Sequence, residues 1–162
     1  MTEALHRLFN TRREFHEALL EGFGEIARVG CREVWLSDED FAEWPLNSPQ
    51  VVELLTRWAQ SHRKLTLIAR GFDELARRHP RWVEWRRQWS HVVECRANEE
   101  AAVGEIPTLL LAPGVVAVRL FDRANYRGNL SRDPADWVRH RELIDAVSQR
   151  SVEAFPPTIL GI

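Results

Sequence analysis

The chain has 162 residues, 44% hydrophobic and 28% charged, with 22 Lys and Arg against 24 Asp and Glu and a formal net charge of −2. That length fits one domain with a sizeable buried core, and the composition is that of an ordinary globular protein rather than a disordered or fibrous one. The near-neutral charge speaks against a general nucleic-acid-binding surface, leaving room only for a local basic patch, and no apolar run reaches the ~18 residues that cross a bilayer.

The first residues, MTEALHRLFNTRREF, are charged and carry no signal-peptide h-region, so a cytoplasmic setting is expected. Two cysteines, Cys31 and Cys95, are too few for a disulfide framework or a metal knuckle. Lys64 is the single lysine, a bias that points to a GC-rich bacterial coding sequence rather than to phosphate binding.

The predicted elements alternate helix and strand. Phe15, Leu19, Phe23, Ile26 and Ala27 recur at helical spacing and predict a helix from Arg12 to Val29, capped by Asn10 or Thr11 and ended by Gly30. Gly22 and Gly24 weaken it by roughly 1 kcal/mol each against alanine. A strand follows at Glu33–Leu36, then a turn or short helix through Trp44 capped by Ser37. Ser48-Pro49 opens a helix whose face is Val51, Leu54, Leu55, Trp58 and Ala59. The apolar run Lys64–Ala69 predicts a strand buried on both sides. Helical segments at Asp73–Arg78 and Arg81–Trp89 flank Pro80, and His91–Cys95 reads as a strand. Two apolar strands, Thr108–Leu111 and Val115–Leu120, turn at Ala112-Pro113-Gly114. A helix from Asp133-Pro134 to about Ala154 ends before Pro156-Pro157.

The stretch EIPTLLLAPGVVAVRLFDRANYRGNLS, from Glu105, resembles the catalytic hairpin of the phospholipase D-like family. That hairpin runs H-x-K-x4-D-G, an apolar strand, then a Gly-Ser-x-x-Asn type loop. Gly114 and both strands match. The catalytic slots hold Ile106 for histidine, Thr108 for lysine and Pro113 for aspartate, and Asp122-Arg123-Ala124-Asn125 stands in the loop region without its Gly-Ser. The resemblance implies a fold, an α/β half-domain with a mixed β-sheet and helices on both faces, spanning residues 1–162 as one domain. It also implies lost chemistry, because Ile106 can neither attack phosphorus nor transfer a proton, Thr108 carries no charge and Pro113 cannot orient an imidazole. A generic buried hairpin without such ancestry gives the same absence of phosphodiesterase chemistry. The apolar end, from Phe155 to Ile162, is similar to that of an uncharacterised proteobacterial family in which such domains stand alone or follow an acetyltransferase domain.

Other constellations of polar and aromatic residues carry a structural reading beside a functional one. His62-Arg63-Lys64 is a true H-x-K, but no aspartate stands five residues after Lys64, and the site is the entry to a strand. Asp38 and Asp40 after a strand resemble the D-x-D of haloacid-dehalogenase-type phosphohydrolases, which use Mg2+. The sequence continues with Phe41-Ala42 rather than Gly-Thr, and Ser37 with Asp40 also reads as a helix start. Trp82, Trp85 and Trp89, interleaved with Arg77, Arg78, Arg81, Arg86 and Arg87, suit a core or interface stripe better than base stacking. No cofactor and no metal site is indicated, Cys31 and Cys95 read as inert buried thiols, and His16, His79 and His140 show no pairing.

The expectation is therefore a catalytically inactive phospholipase D-like domain acting as a binding or protein-interaction module, forming a homodimer or meeting another protein, with no membrane contact and nucleic acid disfavoured. The rival is an Asp38/Asp40 phosphohydrolase.

Overall fold

The computed structural model describes residues 5–60 and 62–157. All eight strands join one mixed sheet: β1 (His6–Phe9), β2 (Glu33–Ser37), β3 (Lys64–Ala69), β4 (Val93–Ala97), β5 (Thr108–Ala112), β6 (Val116–Asp122), β7 (Arg127–Ser131) and β8 (Val152–Glu153), in the order β1-β7-β6-β5-β2-β3-β4-β8. The helices are α1 (Arg12–Val29), α2 (Pro49–Trp58), α3 (Asp73–Arg78), α4 (Pro80–Gln88) and α5 (Pro134–Gln149). β2, β3 and β4 pair in parallel and every other pairing is antiparallel.

Side-chain alternation divides the core. Leu36, Leu65, Leu67, Leu110 and Val118 point to one face, where they join Phe15, Leu19 and Phe23 of α1, Leu55 and Trp58 of α2, and Trp82 and Trp85 of α4. Trp35, Ile68, Leu109, Leu111 and Ala117 point to the other, under Ile144 and Val147 of α5. The fold is thus the expected α/β class, a mixed sheet with helices on both faces, and burial on both faces explains why β3 reads as a continuous apolar run.

Local signals set the boundaries. The Thr11 side chain accepts from Glu14 N, and Gly30 ends α1 at φ 79°. Gly114, at φ 86°, turns the hairpin between β5 and β6 where the Pro-Gly signal predicts it. Trp82 and Trp85 are buried, so the tryptophan stripe is core.

Three expectations change. Ser37 is the last residue of β2 rather than a cap, and no helix follows it. α5 ends at Gln149 rather than near Ala154, because Ser151 folds back: its hydroxyl donates to Ser148 O (2.6 Å), and Arg96 donates to both its carbonyl and its hydroxyl (each 2.8 Å). β8 follows on the edge of β4. The predicted strand from His91 starts at Val93. Of the apolar end, Phe155 stacks on Phe72 at 5.5 Å and residues 158–162 lie outside the described residues.

Gly128 sits in β7, where a Cβ would lie 2.3 Å from Arg119 O and 2.4 Å from the Phe9 ring, whereas Gly24 in α1 has nothing within 4 Å. Gly128→Ala is expected to cost about 1–3 kcal/mol in denaturant unfolding and Gly24→Ala to stabilise by about 0.5–1 kcal/mol. Equal effects of the two would contradict this packing.

Candidate functional site

The carboxyl end of β2 meets the start of β5, since the antiparallel register sets Ser37 opposite Leu109. Asp38 and Thr108 come together there, 1% and 3% exposed. Thr108 Oγ1 donates a short hydrogen bond to Asp38 Oδ1, and Oδ2 accepts from Phe41 N at 2.8 Å and Asp40 N at 3.4 Å. These amides hold Phe41 at φ 60°, a left-handed backbone that bulky residues avoid. The compensation is burial of its ring between Trp44 and Phe72, with His79 Nε2 2.8 Å from its carbonyl.

The β6–β7 turn delivers Arg123 to the same place. Its guanidinium lies 3.6 Å from Asp38, 3.1 Å from Glu39 and 3.9 Å from Asp40. Burial pushes the Asp38 carboxyl above its usual range, opposed by the Arg123 charge and the Thr108 and Phe41 hydrogen bonds. Asp40 Oδ1 accepts from Ala42 N at 2.9 Å, an Asx turn. A cavity of 240 Å3 opens beside this cluster, bounded by Phe15, Trp44, Thr108, Arg123 and Tyr126.

Of the three positions set against the catalytic motif, Thr108 lies at this site and is spent on Asp38. Ile106 is 2% exposed and packs in the apolar cluster under α5. Pro113 lies past the far end of β5, about 16 Å from Thr108 at about 3.3 Å per residue. His62 and Lys64 are at the opposite edge of the sheet, lining a different groove. The structure therefore gathers Asp38, Asp40 and Thr108 and separates them from Ile106, Pro113, His62 and Lys64. Arg123 was visible in sequence only as part of the loop Asp122-Arg123-Ala124-Asn125; its role needs the β6–β7 pairing. Cys95 is buried, its thiol pushed up to about 12, which makes it inert.

Chemically the cluster sets three carboxylates against one guanidinium. It repels a phosphate dianion, and its most buried acid already accepts three hydrogen bonds. Among the described residues no helix is long and apolar enough to cross a membrane.

No protein-family model and no curated protein sequence matches the chain. Solved structures that share the fold include the following two. TrmBL2, an archaeal chromatin protein described as showing a novel mode of DNA binding, matches at TM-score 0.64 and 15% identity, over 93% of this chain and 54% of that one. The chain thus spans about half the length of TrmBL2. Nuc from Salmonella typhimurium, a phospholipase D family member, matches at TM-score 0.56 and 8% identity, over 92% of this chain and 98% of that one. The fold is phospholipase D-like.

These similarities correct the partner expectation. A homodimer or protein partner, with nucleic acid disfavoured, rested on the net charge and on exposed apolar surface. A DNA-binding chromatin protein carries the same fold. Trp82 and Trp85 of the stripe are core and Trp89 is partly buried against it, and net charge averages over edges of opposite sign, so neither ground stands.

Because its folded-state affinity for a proton is raised, ionised Asp38 costs stability once pH rises above the unfolded value near 3.9, and the penalty grows until the folded group itself ionises. Asp38→Asn abolishes that titration. The stability of the Asn variant relative to the native protein is expected to improve as pH rises from 4 toward neutrality in urea unfolding; a fall in its relative stability over that range would contradict the raised pKa.

Proposed function

We propose that this is a phospholipase D-like domain without phosphodiesterase chemistry that binds nucleic acid at the edge of the sheet opposite the degenerate site. The observation that carries the proposal is a separation of charge across the sheet. At the carboxyl ends of β2 and β3 the two cavities are lined by Asp38, Glu39, Glu43, Glu105 and Asp122 against Arg119 and Arg123. At the other edge, a groove of 690 Å3 and one of 500 Å3 carry Arg7, Arg28, Arg32, Arg63, Lys64 and Arg132 against Glu25, Glu33, Glu94 and Glu153, with His6, His62 and His91 beside them.

Arg7, Lys64 and Arg132 are held by glutamates. Arg28, Arg32 and Arg63 form no ion pair with a described residue, and they are the groups able to meet phosphates. Phosphate contact is the sequence-independent part of nucleic-acid binding and needs only such positioned cations. The description of TrmBL2 as a DNA-binding protein supports the choice of ligand. Absence of chemistry is supported by Ile106 in the histidine slot, by the engagement of Thr108 with Asp38 and by the acidity of the site. Against the Asp38/Asp40 phosphohydrolase reading, the guanidinium that reaches both aspartates, Arg123, is shared among Asp38, Glu39 and Asp40.

Fluorescence anisotropy with a labelled 20-base-pair duplex tests the binding. With two or three phosphate contacts, raising salt from 50 to 200 mM is expected to weaken it about 10-fold or more. The Arg28→Glu, Arg63→Glu double variant is expected to remove binding that a charge reversal at the exposed Arg13, Arg13→Glu, leaves intact. No binding at 50 mM salt, or equal loss in both variants, overturns the proposal. Bis-p-nitrophenyl phosphate is expected to show no turnover; turnover lost in His62→Ala would return the H-x-K to consideration.

A further inference from the structure

Where the edge strand β1 meets the start of α5, His6, Asp133 and Asp136 converge, and one ligand atom from each lies within 4.8 Å of the others. His6 Nε2 is 3.4 Å from Asp133 Oδ2, and His6 Nδ1 is 3.4 Å from Asp136 Oδ2. Two ligands about 2.1 Å from a tetrahedral Zn2+ stand about 3.4 Å apart. The Nε2–Asp133 spacing is that of such a coordination edge and wider than a good hydrogen bond of about 2.9 Å, while Asp136 approaches the ring's other nitrogen and lies within the 4.8 Å compass of the set.

The surroundings fix these groups. Ser131 Oγ donates to Asp136 Oδ2 at 2.6 Å, and Arg139 holds Oδ1. Asp133 caps α5, accepting from Ala135 N at 3.0 Å, while its other oxygen faces His6. The carboxamide of Asn129 lies 3.3 Å from His6 Nδ1.

Two polar atoms of this patch have no hydrogen-bond partner: Oδ1 of Asn129, and Nδ1 of His140, a residue 7% exposed that follows Asp136 by one helical turn. The oxygen and nitrogen of an amide are assigned by their bonding. With Asn129 Oδ1 turned to His6, the imidazole donates from Nδ1 and presents a bare Nε2 toward Asp133. Metal-bound histidines are held by their second nitrogen in this way. Two acceptors then face each other with no proton between them, an arrangement that a cation resolves.

We propose that His6, Asp133 and Asp136 form a binding site for a divalent transition metal, best matched to Zn2+, that ties the edge strand to the start of the last helix. One imidazole and two carboxylates leave a fourth position for water, and a nitrogen ligand favours Zn2+ over Mg2+ or Ca2+. The site is independent of the nucleic-acid reading and stands if that reading fails.

Zinc ions titrated into the metal-free protein against a chromogenic indicator test it, with thermal unfolding as a second readout. One zinc per chain at micromolar affinity and a raised melting temperature are expected. His6→Ala and Asp133→Asn are each expected to weaken binding at least 10-fold, while His91→Ala leaves it unchanged. Asparagine caps helices as well as aspartate does, so Asp133→Asn keeps α5 intact if loss of His6 loosens β1. Absence of zinc binding below millimolar concentration, or equal binding by the native protein and Asp133→Asn, overturns the site.

Discussion

Asp38 closes the seam between two differently built halves of the sheet. On one side lie the parallel strands β2, β3 and β4; on the other, the antiparallel run from β5 to β1. The halves join through three residue pairs of β2 and β5. Asp38 stands just past the last of them, bound to the first residue of β5 and to the turn that brings β6 into β7. A buried carboxyl left unpartnered costs several kcal/mol, so its partners are obligatory once the strand has placed it there. Thr108 and Arg123 therefore settle the register of the hairpin on β2. The groups that reach this location are consumed by each other.

That consumption shapes the rest of the surface. Arg123 serves Asp38, Glu39 and Asp40 at once, and Gly104 N donates to Glu39 from the loop before β5. The acidic edge is thereby a structural clamp, and its charge is a by-product of holding three loops together. At the other edge the cations sit on segments that need no clamp: the end of α1, the entry to β2, the entry to β3. Arg63 donates to Trp58 O and keeps part of its guanidinium for solvent, while Arg32 offers its backbone carbonyl to Lys64 N and leaves its side chain uncommitted. A sum of −2 over the chain conceals this division, because each Debye length of about 8 Å feels its own edge.

Elements with a periodic apolar signal were legible in the sequence. α1, α2 and β3 match residue for residue at one or both ends, since Phe15, Val51 and Leu65 begin patterns that burial obeys. The hairpin was legible from Pro113-Gly114. β1 was not: of His6, Arg7, Leu8 and Phe9 only Phe9 is buried, so an exposed edge strand looks like a charged leader. β7 was hidden by Gly128, which in isolation reads as a break but is required by the Phe9 ring pressed against it. β8 has two residues and exists because Arg96 and Ser151 end α5 early.

Sites follow the same rule. Asp38 was visible as a candidate acid, but the cap expected there fell on Ser37; it is Asp38 that accepts from Phe41 N and Asp40 N. What no spacing could convey was that Thr108, named as a lost lysine, would become its partner from 70 residues away. His6 and Asn129, 123 residues apart, are beyond any motif, because motif spacing records what one helix or one turn can bring together. A strand at the edge of a sheet joins ends of the chain that local pattern never compares. Chemistry assembled across β1 and α5 is for that reason a property of topology, and the sequence acquires it only once β7 is recognised as the strand between them.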